Sequence, residues 1–144
     1  MRKRFYNFKS LPTPEAMFSR AMELEVGKSQ VLLISGTASV GPKRQTMFPF
    51  NFRKQAEYTF KNISDILKQA GYRVKDVVRW RVYLKNISRD YAEFNMVRDR
   101  FFRQHGITRK NAAPSTCVQA KLCREDLLVE IEAIAVKEKK SCQF

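Results

Sequence analysis

Histidine and tryptophan occur once each in this 144-residue chain, and cysteine three times. A lone His105 cannot form a two-histidine nuclease pair or a multi-histidine metal site, so no metal is expected. Cys117, Cys123 and Cys142 form no CxxC pair, and the odd count suits a reducing compartment. No apolar run approaches the length of a membrane span. The basic opening MRKRFYNF has no long apolar core behind it, which argues against a secretory signal. A cytoplasmic protein without membrane contact is the expectation. Acidic residues number 14 against 28 basic ones, a net charge of +14. That balance suits nucleic acid or a phosphate-rich partner, or merely a solvated basic surface. No aromatic–basic RNA signature and no zinc-finger spacing accompany it. Internal repeats and low-complexity tracts are absent as well.

What is present is a core. Hydrophobic residues make up 44% and aromatics 12% of the chain, which excludes disorder. The length suits one domain over residues 1–144, burying about 68% of its unfolded surface. Arg4 to Phe8 forms a short strand, and Phe18 to Val26 leads from loop into a second. Val31, Leu32, Leu33 and Ile34 then form an apolar run ending in the small residues Ser35-Gly36-Thr37-Ala38-Ser39, where backbone or ligand can come close. From Asn51 to Ala70, Phe52, Ala56, Phe60, Ile63 and Leu67 recur at helical spacing, with Asn51 as cap and Gly71 as stop. Asp76 to Asn86 is a strand with Val78, Trp80, Val82 and Leu84 on one side and Val77, Arg79, Arg81 and Tyr83 on the other. A second helix runs from Asp90 to Gln104, with Asp90 and Glu93 as a capping box and Tyr91, Phe94, Val97 and Phe101 inward.

Two more strands close the chain, Thr116 to Leu122 and Leu127 to Val136, joined by the turn Cys123 to Asp126. The tail beyond Val136 is basic, then polar, with residues 138–144 expected to fray. The order is β-β-β-α-β-α-β-β, an α+β fold with two helices on one face of a mixed sheet. The other face combines Val77, Tyr83, Leu128, Ile134 and Val136 with Arg79, Arg81, Glu130 and Glu132. It is too apolar for water and too charged for a dry core, so an oligomer is expected. Glu130 either positions a ligand or water, or pairs with Arg79 or Arg81; Glu132 is assigned to such an ion pair.

The run LLISGTASVG, then Gln55, Asn62-Ile63, Leu67 and Ala70-Gly71, then Asp76-Val77-Val78, Val82-Tyr83-Leu84, Asn95 and finally Glu130-Ile131-Glu132-Ala133-Ile134-Ala135-Val136, resembles the Rid/YjgF family. The resemblance spans about Met17 to Val136. It implies a chorismate-mutase-like fold, a homotrimer and ligand clefts between subunits. The family's best-known activity is hydrolysis of reactive 2-imino acids to 2-keto acids and ammonia, with no cofactor. Some relatives carry endoribonuclease or translation-inhibitor labels, which keeps RNA as an alternative partner.

Matched residue by residue, the family pattern puts the catalytic glutamate on Glu130. The ligand-binding positions fall on Phe18, Ser35, Gly36, Thr37, Asn95, Pro114, Thr116 and Cys117. The family has tyrosine where this chain has Phe18 and usually glutamine where it has Thr37. Its substrate-clamping arginine falls on Pro114 in one register and on Ser115 in another. Neither offers a guanidinium fork. The resemblance therefore implies a binder of a small carboxylate or carbonyl compound that is a poor imine deaminase, or a non-catalytic regulatory trimer.

Overall fold

The stripe of Phe52, Ala56, Phe60, Ile63 and Leu67 folds into helix α1 (Phe52–Gln69) in the computed structural model of the chain, which describes residues 1–8 and 11–139. All five side chains are buried. Asn51 caps the helix by accepting the Lys54 N–H at 3.1 Å, and Gly71 ends it at φ +78°. Helix α2 (Ile87–Gln104) packs beside it through rings: Phe60 stacks on Phe94 and Phe101, with centroids 5.9 and 4.6 Å apart, and meets Trp80 edge-on.

Among the described residues, six strands form one mixed sheet: β1 (Lys3–Tyr6), β2 (Ala21–Val26), β3 (Ser29–Ala38), β4 (Val77–Leu84), β5 (Ser115–Gln119) and β6 (Val129–Glu138). Their spatial order is β1-β2-β3-β6-β4-β5. The element order is the expected one, and both helices cover one face of the sheet. Central β6 alternates buried and half-buried residues from Val129 to Val136, with Val129, Ile131, Ala133 and Ala135 toward the helices.

Three local expectations fail for identifiable reasons. The last two strands are not a hairpin. β5 pairs parallel with β4 after the α2 crossover, while β6 pairs antiparallel with the other edge of β4. In β4 a bulge between Val77 and Arg79 makes Val78 the extra residue, so Val77 is buried and Val78 is 46% exposed. α2 begins three residues early, because Asn86 is its cap, accepting the Arg89 N–H at 3.0 Å. Asp90 is instead buried and held in the fork of Arg89, and Tyr91 turns out to solvent. Of the expected tail 138–144, two residues are described: β6 runs to Glu138, and Lys139 pairs with Glu25 at 2.8 Å. Residues 140–144, with Cys142, lie outside the described residues.

Three polar residues interrupt the buried stripe of α1: Gln55, Thr59 and Asn62. Gln55 donates to the carbonyls of Phe48 and Asp126 at 3.1 and 2.7 Å and accepts the Leu128 N–H at 2.9 Å. Asn62 donates to the carbonyls of Ala38 and Val40 at 3.0 and 3.2 Å. The helix thus fastens the end of β3 and the start of β6. Gln55→Leu keeps the volume but leaves the Leu128 N–H without its acceptor and removes one of two donors from each of the Phe48 and Asp126 carbonyls. It is expected to cost about 2 kcal/mol or more in urea denaturation. A loss below about 0.5 kcal/mol would show that the staple is dispensable.

Candidate functional site

β3 bulges between Ile34 and Thr37, where the small residues of the sequence lie. The bulge brings Gly36 against the start of β6, where Glu130 lies opposite Ala38 on one side and Tyr83 on the other. A Cβ on Gly36 would stand 2.2 Å from Glu130 Oε1, so the carboxylate occupies the space a side chain would need. Ser35 donates its hydroxyl to the Ser19 carbonyl at 2.7 Å, and its N–H goes to the Arg20 carbonyl. This ties the N-terminal loop carrying half-exposed Phe18 to the same end of the sheet. A concavity of about 280 Å³ opens beside Ser35, lined by Phe5, Met22 and Leu33 among others.

Glu130 is half-buried, and among the described residues its carboxylate has no hydrogen-bond or ion-pair partner. Burial raises it above the ordinary carboxylate value, and the neighbouring Glu132 adds to the rise. The two arginines that could neutralise it are engaged elsewhere. Arg81 pairs with Glu132 at 2.9 Å, and Arg79 donates to Thr116 Oγ1 on β5. The division between the two glutamates follows from register, since Arg81 is the direct cross-strand neighbour of Glu132.

The remaining sequence-derived positions lie elsewhere. Thr37 is 1% exposed and donates its hydroxyl to the Ser35 carbonyl, so its side chain faces the helices. Thr116 shares the open face with Arg79 and Arg81. Cys117 pairs in register with buried Val82 and lines a groove of about 450 Å³ with Ile87, Ser88, Tyr91 and Ala92 of α2. Burial pushes its thiol up, against a weaker downward pull from Arg98, which makes it a poor nucleophile. Ser115 is two residues away and therefore on the same helix-side face. Pro114 precedes the strand and accepts the Trp80 N–H through its carbonyl at 3.0 Å. Asn95 sits one turn beyond Tyr91 and Ala92 on α2. Its Oδ1 is buried and lacks a hydrogen-bond partner among the described residues. One chain therefore brings together Phe18, Ser35, Gly36 and Glu130 at the open face. The face toward α2 holds Asn95, Ser115 and Cys117 at the sheet edge. It does not unite the two sets.

The family model for endoribonuclease L-PSP matches residues 8–137. The chain belongs to this family, the Rid/YjgF family. A RutC family protein of Pyrococcus horikoshii is 32% identical over 127 residues, covering 88% of this chain and 92% of the relative. A 2-iminobutanoate/2-iminopropanoate deaminase of Escherichia coli is 31% identical over 112 residues, 78% of this chain and 84% of the enzyme. The crystal structure of Escherichia coli TdcF with bound serine superposes with a TM-score of 0.78 at 26% identity, covering 94% of this chain and 99% of that one. The two-helix, six-strand architecture is thus the family's own fold. No helix among the described residues is long and apolar enough to cross a membrane, and no three His, Cys, Asp or Glu side chains there gather as a metal-holding group.

Sequence reasoning missed two features. The Gln55 staple had a signal, a polar residue at a buried phase of an apolar stripe. The grooves between α2 and the residues before and within β5 had none, because they arise only once the crossover is closed.

The raised value of Glu130 makes a pH-dependent prediction. A carboxyl whose folded value lies above its unfolded one costs stability as pH climbs from the unfolded value through the folded one. Glu130→Gln is therefore expected to raise Tm at pH 7, with the gain disappearing below about pH 4, the ordinary carboxylate range. A lower Tm at pH 7 would identify Glu130 as half of a stabilising ion pair instead.

Proposed function

We propose that the chain assembles as a homotrimer and binds a small carboxylate or carbonyl compound in clefts shared between subunits, where Glu130 positions water or moves a proton. The carrying observation is the Glu130 carboxylate, unpaired and half-buried against Gly36 with its value raised. A raised carboxyl with no countercharge is suited to proton exchange rather than to holding a fold together. The division of the candidate residues between two faces supports a shared cleft: a neighbouring copy can supply the half that each chain lacks. The open face supports assembly, since Leu33, Ile134 and Val136 lie there half-buried beside the Arg81–Glu132 pair.

The ligand class draws on two relatives. One is named for 2-imino acids and the other holds serine, and both ligands carry a carboxylate next to the reacting or amino-bearing carbon. The family's arginine has no counterpart on β5. Ser115 shares a face with Cys117 whereas Pro114 precedes the strand, which supports Ser115 over Pro114 as the arginine position. Efficient turnover of 2-imino acids is not expected, and no cofactor is invoked. The second reading, RNA binding or cleavage, rests on the net charge of +14 and on the family's name. It requires binding that weakens steeply with salt. A non-catalytic regulatory trimer is what remains if neither activity is found.

Light scattering at micromolar concentration is expected to give three times the 16.9 kDa of one chain. In a coupled assay with 2-iminobutanoate, the wild type is expected to turn over at least a hundredfold more slowly than a reference deaminase. Ser115→Arg should recover activity, and Pro114→Arg should not. Adding Gly36→Ala to the Ser115→Arg variant should abolish the gain by pushing the Glu130 carboxylate aside. A monomer in solution, or a wild type as fast as the reference, would overturn the proposal.

A further inference from the structure

A second groove lies between the C-terminal half of α2 and the segment 107–115 that leads into β5. It has a volume of about 480 Å³, within the range of small-molecule sites. Arg98, Arg103 and Arg109 line it, with Thr108 and Ser115 supplying hydroxyls. The acid among its lining residues, Asp99, is held by Arg98 at 2.9 Å. Arg103 and Arg109 have no acidic partner among the described residues. Three guanidiniums against one carboxylate leave two positive charges facing the same space. Phe102, Ile107 and Ala113 give it an apolar floor. Ser115 lines this groove and shares its face of β5 with Cys117, so the groove adjoins the α2–β5 half of the proposed cleft.

An imino acid has one carboxylate and needs one fork. A site with an excess of two positive charges suits a dianion. A phosphate monoester carries about −1.5 to −2 at neutral pH and presents three acceptor oxygens, which several guanidinium forks can share. We propose that this groove binds the phosphate of a small organic phosphomonoester. Anion recognition is thereby moved from β5, where Ser115 has no charge, to α2 and the loop before β5. The inference rests on the reading that α2 and β5 line the ligand cleft. It assigns Arg103 and Arg109 as the principal phosphate ligands, with Arg98 oriented by Asp99 as a third.

The experiment is isothermal calorimetry on the full chain with phenyl phosphate, inorganic phosphate, benzoate and a uridine decanucleotide. Phenyl phosphate is expected to bind at least tenfold more tightly than benzoate, with inorganic phosphate competing. The Arg103→Gln/Arg109→Gln variant should lose at least tenfold in phenyl phosphate affinity at unchanged Tm. The charge-matched control Arg2→Gln/Lys3→Gln should lose less than twofold. Equal affinity for benzoate and phenyl phosphate overturns the proposal, and so does an Arg103→Gln/Arg109→Gln variant that binds phenyl phosphate as well as wild type does. Decanucleotide binding that the variant loses, and that phenyl phosphate does not displace, overturns it in favour of a nucleic-acid surface. The readout is heat of binding, so a failed imine assay leaves this result standing. Conversely, Arg-independent phosphate binding beside a Glu130-dependent imine activity would sink this inference alone.

Discussion

The Gln55 side chain governs where the last strand begins. Its Oε1 takes the Leu128 N–H and its Nε2 the Asp126 carbonyl, immediately before β6 starts. Strand register has a period of two, so a slip of one residue would carry every side chain of β6 to the opposite face. Glu130 and Glu132 would then point into the helices, and Ile131 and Ala133 would point to the open face. An amide buried beneath the helix, with donor and acceptor both spent on backbone, removes that alternative. Asn62 does the corresponding work at the far end of β3. Between them, these two side chains of one helix hold Gly36 and Glu130 against each other.

Once register is fixed, electrostatics sorts the open face. Arg81 stands directly opposite Glu132 and pairs with it at an exposed position, where an ion pair contributes little, about 0–1 kcal/mol. Its larger effect is to withdraw the nearest cation from Glu130. Arg79, displaced by the bulge at Val78, reaches across to Thr116 rather than along the strand. Glu130 is left without a countercharge and against backbone that offers no room. An isolated carboxylate in that position stays anionic at a cost or takes up a proton, and both properties serve chemistry better than stability.

The fold was legible because its periodicities are clean. Helix α1, the run Val31 to Ile34 and the alternation in β6 each follow from spacing alone. The failures cluster where a local signal competed with another of the same kind. Asn86 and Asp90 are both good caps, and the sequence contains nothing to show that the Arg89 fork would claim Asp90 and free Asn86 for the helix end. Val77 and Val78 are equally apolar, and only the bulge, a property of pairing with β6, decides which one is buried. The partners of β5 could not be read from its residues either. Parallel pairing is set by the crossover that precedes the strand, not by the turn that follows it. For the candidate site, Glu130, Gly36 and Ser35 were accessible through small residues at a strand end and a carboxylate on an apolar strand. Their separation from Asn95 and Cys117 was not, because it depends on which face of a strand outside the hairpin pattern meets α2.

That separation puts Ser115, with its small hydroxyl, on the α2 side of β5. A guanidinium at Ser115 would project on the helix side of β5, toward the groove lined by Arg98, Arg103 and Arg109. In this chain that space already has positive charge from α2 and from the loop before β5, and the strand itself contributes only a small hydroxyl. A guanidinium added there would supply a fork beside them. On the proposed phosphate reading, the small residue at position 115 of β5 and the presence of Arg98, Arg103 and Arg109 beside it belong together: one planar fork for a carboxylate is replaced by several guanidiniums lining one groove.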